Sequence, residues 1–142
     1  MPKVFQLVYV SQAVDDLSYT DIREILEVSR KNNSTQNITG ILILRDGYFL
    51  QVLEGEENSI RKLIEKIRDD DRNYKLQIKI ETESDTRFFD NWSMAFLDGD
   101  IEANSTVDLI KLFDLCVKAG PHERNLIMGM VKNFRASAPD FK

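Results

Sequence analysis

The sequence predicts an α+β protein: a ferredoxin-like β-α-β-β-α-β core with a fifth strand. Three observations carry this. Four segments, KVFQLVYVS, ITGILILR, YFLQVLEG and KLQIKIET, are rich in β-branched and aromatic residues or alternate with a period of two. Two segments between them repeat their apolar residues at helical spacing. Asp46 and Gly47 sit between the second and third strands, where a tight hairpin turn needs positive φ angles.

The first strand, residues 3 to 11, places Phe5, Leu7, Tyr9 and Ser11 on one face. Ser18 followed by Asp21 resembles a capping box, and Ile22, Ile25, Leu26 and Ser29 then line one side of a helix expected to end near Asn32 and Asn33. Strands two and three follow as antiparallel neighbours. The third divides into Phe49, Gln51 and Leu53 on one face and Leu50 and Val52 on the other. From Asn58, Ile60, Leu63, Ile64 and Ile67 describe a second amphipathic helix ending near Asp70, and residues 75 to 82 read as the fourth strand. The right-handed crossover rule puts both helices on one sheet face and makes strands one and three central neighbours.

A sheet apolar on both faces needs a second cover. VDLIKLFDLCVKAG, stopped by Gly120 and Pro121, and HERNLIMGMVKNF supply two more helical patterns, which we assign to the opposite face. We therefore expect one unit over 1–98 and a helical extension over 99–142 packed on the same domain. No internal repeat, linker or second domain is expected.

The formal charge of −5, without a run of basic residues, argues against nucleic acid as a partner. A single cysteine, Cys116 in an apolar setting, provides no disulfide framework and suits a reducing, cytoplasmic location. No stretch of eighteen apolar residues is present, so no membrane span is expected. One histidine, His122, and one cysteine offer no metal site, and no nucleophile elbow, dinucleotide fingerprint or Walker loop occurs.

What remains is polar side chains where the pattern predicts core: Tyr9 and Gln51 facing the helices, with Ser29, Asn32 and Asn33 late in helix one. Buried amides and hydroxyls need partners. Either these groups satisfy one another and the backbone, or they surround a planar heteroaromatic ligand with donors and acceptors on its edge.

LVYVS around Tyr9, NN followed by ITGIL, FLQVLEG around Gln51, and RFFDNWSM ending at Met94 together resemble the BLUF domain. The four fragments fall in order over residues 3 to 98. The resemblance implies a non-covalent flavin, usually FAD with FMN or riboflavin tolerated, lying between the two helices. It implies that Asn33 binds the flavin pyrimidine carbonyl, with Asn32 nearby, Ser29 at the ring or ribityl side, and Ile25 and Ile67 sandwiching the ring. Lys66 and Arg72 would lie toward the phosphate end. The sequence departs from the family there: Lys66 stands where arginine is common, and Asn73 where a histidine often follows the arginine.

The resemblance further implies blue-light sensing without enzymatic turnover. Electron and proton transfer from Tyr9, and rearrangement of Gln51, would red-shift the flavin, with Trp92 and Met94 exchanging at the pocket edge. The signal would pass to a downstream partner protein, with a homo-oligomer expected. The alternatives are an interaction module without photochemistry and a flavin-dependent oxidoreductase.

Overall fold

A computed structural model of the chain describes residues 3–89, 93–98, 125 and 127–129. The elements run β1 (Val4–Ala13), α1 (Tyr19–Gln36), β2 (Thr39–Arg45), β3 (Tyr48–Gly55), α2 (Glu57–Asp69), β4 (Asn73–Ser84) and β5 (Ala95–Asp98). The strands form one sheet in the order β4-β1-β3-β2-β5. The four core strands pair antiparallel, with β1 and β3 adjacent at the centre, and β5 joins the edge parallel to β2. This is the ferredoxin-like order with one added strand.

Local sequence accounts for most boundaries. Ser18 Oγ accepts from the Asp21 amide at 3.1 Å and the Asp21 carboxylate accepts from the Ser18 amide at 3.0 Å, so the capping box forms. Asp46 and Gly47 both take positive φ, 50° and 76°, and close the β2–β3 hairpin. Helix α1 does not stop at Asn32 and Asn33. It continues to Gln36 and ends on Asn37, which adopts the left-handed conformation and returns its N–H to the Asn33 carbonyl. An asparagine suits that conformation, and Asn37 is the third candidate in the segment. Asn32 and Asn33 are thereby kept helical and aimed from the last full turns.

The helix-facing core gathers Phe5, Leu7, Tyr9, Leu42, Phe49 and Leu53 from the sheet against Ile22, Leu26, Ile60 and Ile64. The opposite sheet face is also buried at Val8, Leu50, Val52, Ile41, Ile43 and Ile80, as its apolar pattern requires. Ile127 is buried within a helical stretch. Apart from 125 and 127–129, the two helices expected after residue 98 lie outside the described residues, as does their assignment to that face. Gly40 is required by a close approach: a Cβ there would stand 1.9 Å from the Val52 carbonyl oxygen across the β2–β3 pair. Among the described residues no helix is long and apolar enough to cross a membrane.

Candidate functional site

The register of β1 on β3 sets Tyr9 directly opposite Gln51. Same-face residues opposed in this way touch. A register shift between β1 and β4 falls between Val8 and Tyr9, with Lys79 as the extra residue of β4, the kind of irregularity that re-aims a neighbouring side chain. The Tyr9 hydroxyl donates to Gln51 Oε1 at 2.5 Å, and Gln51 Nε2 donates to Met94 Sδ at 3.2 Å. All three residues are almost wholly buried, at 3%, 3% and 1% exposure.

This chain of contacts has a direction. With Oε1 taken by the phenol, the Gln51 amide has only N–H to offer Met94, and a thioether is a weak acceptor. The amide is held firmly at one end and loosely at the other. Burial, with the Asp70 carboxylate adding to it, pushes the Tyr9 phenol well above its ordinary range. Tyr9 is therefore a neutral hydrogen-bond donor at physiological pH.

Tyr9 and Gln51 line a cleft whose other residues come largely from the two helices: Ile25, Ser29 and Asn32 of α1, and Lys66 and Ile67 of α2. A cleft with a mostly apolar surface and a set of convergent polar groups has the character of a small-molecule or cofactor site. One corner is made by Asp70, Arg72 and Asn73. There Arg72 grips Asp70 with Nε on Oδ1 at 2.9 Å and Nη2 on Oδ2 at 2.6 Å, while Nη1 lies 3.6 Å from Glu24. The Arg72 bonds hold the Asp70 carboxyl below its usual range.

The segment leading into β5 is tied from three sides. Arg30 Nε donates to the Met94 carbonyl at 3.0 Å, and Asn33 Nδ2 to the Ser93 carbonyl at 2.9 Å. Further back, Glu54, three residues after Gln51 and fully buried, accepts from the Phe88 and Phe89 amides at 2.7 and 2.8 Å and from Gln6 Nε2 at 2.7 Å. Burial raises the Glu54 pKa against the opposing pull of these donors and Arg87.

Eight residues expected at a site from sequence, Tyr9, Ile25, Ser29, Asn32, Gln51, Lys66, Ile67 and Arg72, meet in the one cleft. Asn33 does not line it. It borders an adjoining hollow with Asn32, Leu63 and Lys66. Met94 lies buried against Gln51, and Trp92 falls outside the described residues. Sequence reasoning missed Asp70 in the cleft and Glu54 behind it, and marked Asn73 only as a departure from the family's histidine. Asp70 carried a signal, an acid two residues from Arg72, whereas Glu54 reads as an ordinary strand-end charge until its loop partners are known.

Three buried side-chain oxygens have no partner among the described residues: Ser11 Oγ on β1, Asn33 Oδ1 and Asn73 Oδ1. A ligand with hydrogen-bond donors on a planar, largely apolar body fits such a cleft, and a flavin has both a ring imide N–H and ribityl hydroxyls. Among the described residues no cluster of His, Cys, Asp or Glu is built to hold a metal.

Comparison with known proteins agrees with this geometry. The photoactivated adenylate cyclase subunit beta of Euglena gracilis is 38% identical over 66 residues, 46% of this chain and 8% of the relative. The blue light- and temperature-regulated antirepressor BluF of Escherichia coli (strain K12) is 31% identical over 70 residues, 49% of this chain and 17% of the relative. The chain thus spans only a small part of the curated relatives it matches. By contrast, the dark-state structure of the BLUF protein BlrB superposes with a TM-score of 0.79 at 28% identity, covering 97% of this chain and 99% of that one. The family model for sensors of blue light using FAD matches residues 4–95, which hold β1 to β4, both helices and the Tyr9–Gln51–Met94 contacts; the chain belongs to the BLUF family of blue-light sensors.

Proposed function

We propose that the cleft holds its flavin non-covalently, FAD first with FMN or riboflavin admitted, and that Tyr9 and Gln51 convert blue-light excitation into a changed hydrogen-bond pattern. The observation that carries this is the 2.5 Å bond from the Tyr9 hydroxyl to Gln51 Oε1, made by two buried side chains that both line the cleft. Ile25 and Ile67 are the apolar faces for the ring, and Ser29, Asn32 and Asn33 its polar partners. As oriented, Asn33 offers an acceptor, suiting an imide N–H better than a carbonyl. Lys66 is the cation for a phosphate tail. Arg72 serves that role only by competing with its hold on Asp70.

When bound, the flavin supplies a strong oxidant on absorbing blue light. Loss of an electron from Tyr9 makes its phenol strongly acidic, and the nearest acceptor for the hydroxyl proton is Gln51 Oε1. An amide that turns to meet the altered phenol can no longer keep its donor on Met94 Sδ. Return of the electron and proton to Tyr9 leaves Gln51 in the new arrangement, which relaxes in the dark.

Because Met94 enters β5 directly, a released Gln51–Met94 contact alters an edge strand of the sheet. We assign the output to a separate partner protein, which reads this change, and a homo-oligomer in the cytoplasm as the working form. The single cysteine suits that compartment. No turnover is assigned to the chain itself; the cyclase activity in the relatives' names is theirs.

The test is a blue-light difference spectrum of the purified chain without added reductant. A small red shift of the flavin band that reverses in the dark is expected. Lasting reduction of the flavin, or a colourless protein that no flavin reconstitutes, overturns the reading.

A further inference from the structure

We propose that Arg30 is a positioning residue for the light response: by holding the Met94 carbonyl it keeps the Met94 sulfur where the Gln51 amide returns to it in the dark. The proposal rests on the photochemical reading above.

Arg30 lies 64 residues before Met94 in sequence, yet its Nε donates to the Met94 carbonyl at 3.0 Å. The side chain of that same residue presents Sδ to Gln51 Nε2 at 3.2 Å. Met94 is thus gripped by its backbone from α1 and touched at its sulfur from β3. Asn33, three residues after Arg30 and so on the same side of α1, donates to the neighbouring Ser93 carbonyl at 2.9 Å. Ser29 and Asn32, each one residue earlier, line the cleft. The helix serves the cofactor site with one pair of side chains and the approach to β5 with the next.

Met94 enters the sheet at a weak place. The paired residues of β5 begin at Ala95, opposite Ile41, so Met94 stands just outside the first pair. The strand is short, lies at the sheet edge and runs parallel to β2, the less stable kind of pairing. Methionine is unbranched and flexible, so its sulfur is placed only as well as its packing and its backbone place it. Burial confines the Met94 side chain, and the Arg30 bond fixes the peptide from which it springs.

Dark recovery requires the Gln51 N–H and the Met94 sulfur to meet again after the light reaction has parted them. A thioether is a weak acceptor and adds little pull of its own. The return then depends on what fraction of the time the sulfur stands in the competent place. Releasing the Met94 carbonyl gives its backbone more freedom, shrinks that fraction and slows recovery.

The experiment follows decay of the red-shifted band in the flavin-loaded chain after a blue-light pulse, in wild type, Arg30→Met, Arg30→Lys, Met94→Leu and the double variant Arg30→Met, Met94→Leu. Arg30→Met keeps an aliphatic stem and loses the donor. It should still form the shifted band and recover about 3- to 10-fold more slowly than wild type, the factor of one hydrogen bond. Arg30→Lys restores a donor and should bring the rate back toward wild type. In the Met94→Leu background there is no sulfur to place, and Arg30→Met should then change recovery by less than about twofold.

Recovery in Arg30→Met that matches or outruns wild type overturns the proposal. So does an equal slowing with and without the Met94 sulfur, which would make Arg30 a packing residue. Should Arg30→Met fail to hold flavin, Arg30→Gln carries the same comparison. A wild-type chain that shows no reversible shift defeats the photochemical reading instead.

Discussion

Tyr9 and Gln51 face each other across two central antiparallel strands, and the phenol donates to the amide oxygen at 2.5 Å. The bond makes the phenol's proton and the amide's orientation one coupled unit, since neither can change without the other. Tyr9→Phe removes the donor and leaves the ring in place. It should cost about 1 kcal/mol of stability, the net worth of one buried hydrogen bond, and leave flavin bound. The reversible red shift should vanish from its blue-light difference spectrum, and a shift that persisted would remove Tyr9 from the photochemistry.

Met94 separates two roles that sulfur and bulk share. Met94→Leu keeps the volume and loses the acceptor for Gln51 Nε2, at a cost below about 1.5 kcal/mol. Met94→Ala loses both and should cost about 2–5 kcal/mol. If the sulfur contact holds the amide, the rate of dark recovery changes by a similar factor in both variants, followed as decay of the red-shifted band. A change in the alanine variant alone would assign the effect to packing.

Much of this was legible because strand and helix periods are strong signals when a sheet is packed on both sides. Alternation put Tyr9 and Gln51 on one face, and Asp46-Gly47 fixed the hairpin. Less was legible where a long-range partner decides. The end of α1 was misplaced because three asparagines compete for the cap and only the turn into β2 selects Asn37. Glu54 looks like a surface polar residue in sequence, and its burial follows from a loop 34 residues later. Asn73, half-buried, is oriented by its bonds to the α2 terminus, which no local pattern announces.

Glu54 pins the segment before β5 with three accepted hydrogen bonds while fully buried. All three partners are donors, so a side chain that brings its own N–H must face one of them. Glu54→Gln is nearly isosteric and should still cost about 2–3 kcal/mol, within the range for losing hydrogen bonds to a charged group. Urea unfolding of the apo protein gives the number, and an unchanged midpoint would show that the carboxylate is not what holds Phe88 and Phe89.

Asp70 gives the acid side of the stability curve a defined sign. Its carboxyl is held below the ordinary value of 3.8, first by the Arg72 hydrogen bond, and stays ionised in the folded protein at a pH where the unfolded chain has begun to take up protons. The folded state therefore binds fewer protons, and the pair's contribution is present above the ordinary carboxylate value and lost as pH falls through the lowered one. Since the pair is partly solvent-exposed, its worth is that of a surface bridge, about 0.5–1 kcal/mol. Asp70→Asn should be less stable than wild type by this amount near neutrality, and the gap should close as both are acidified below the carboxylate range. A gap that widened toward acid would mean that the Asp70 carboxylate, freed of Arg72 in solution, carries a raised pKa instead.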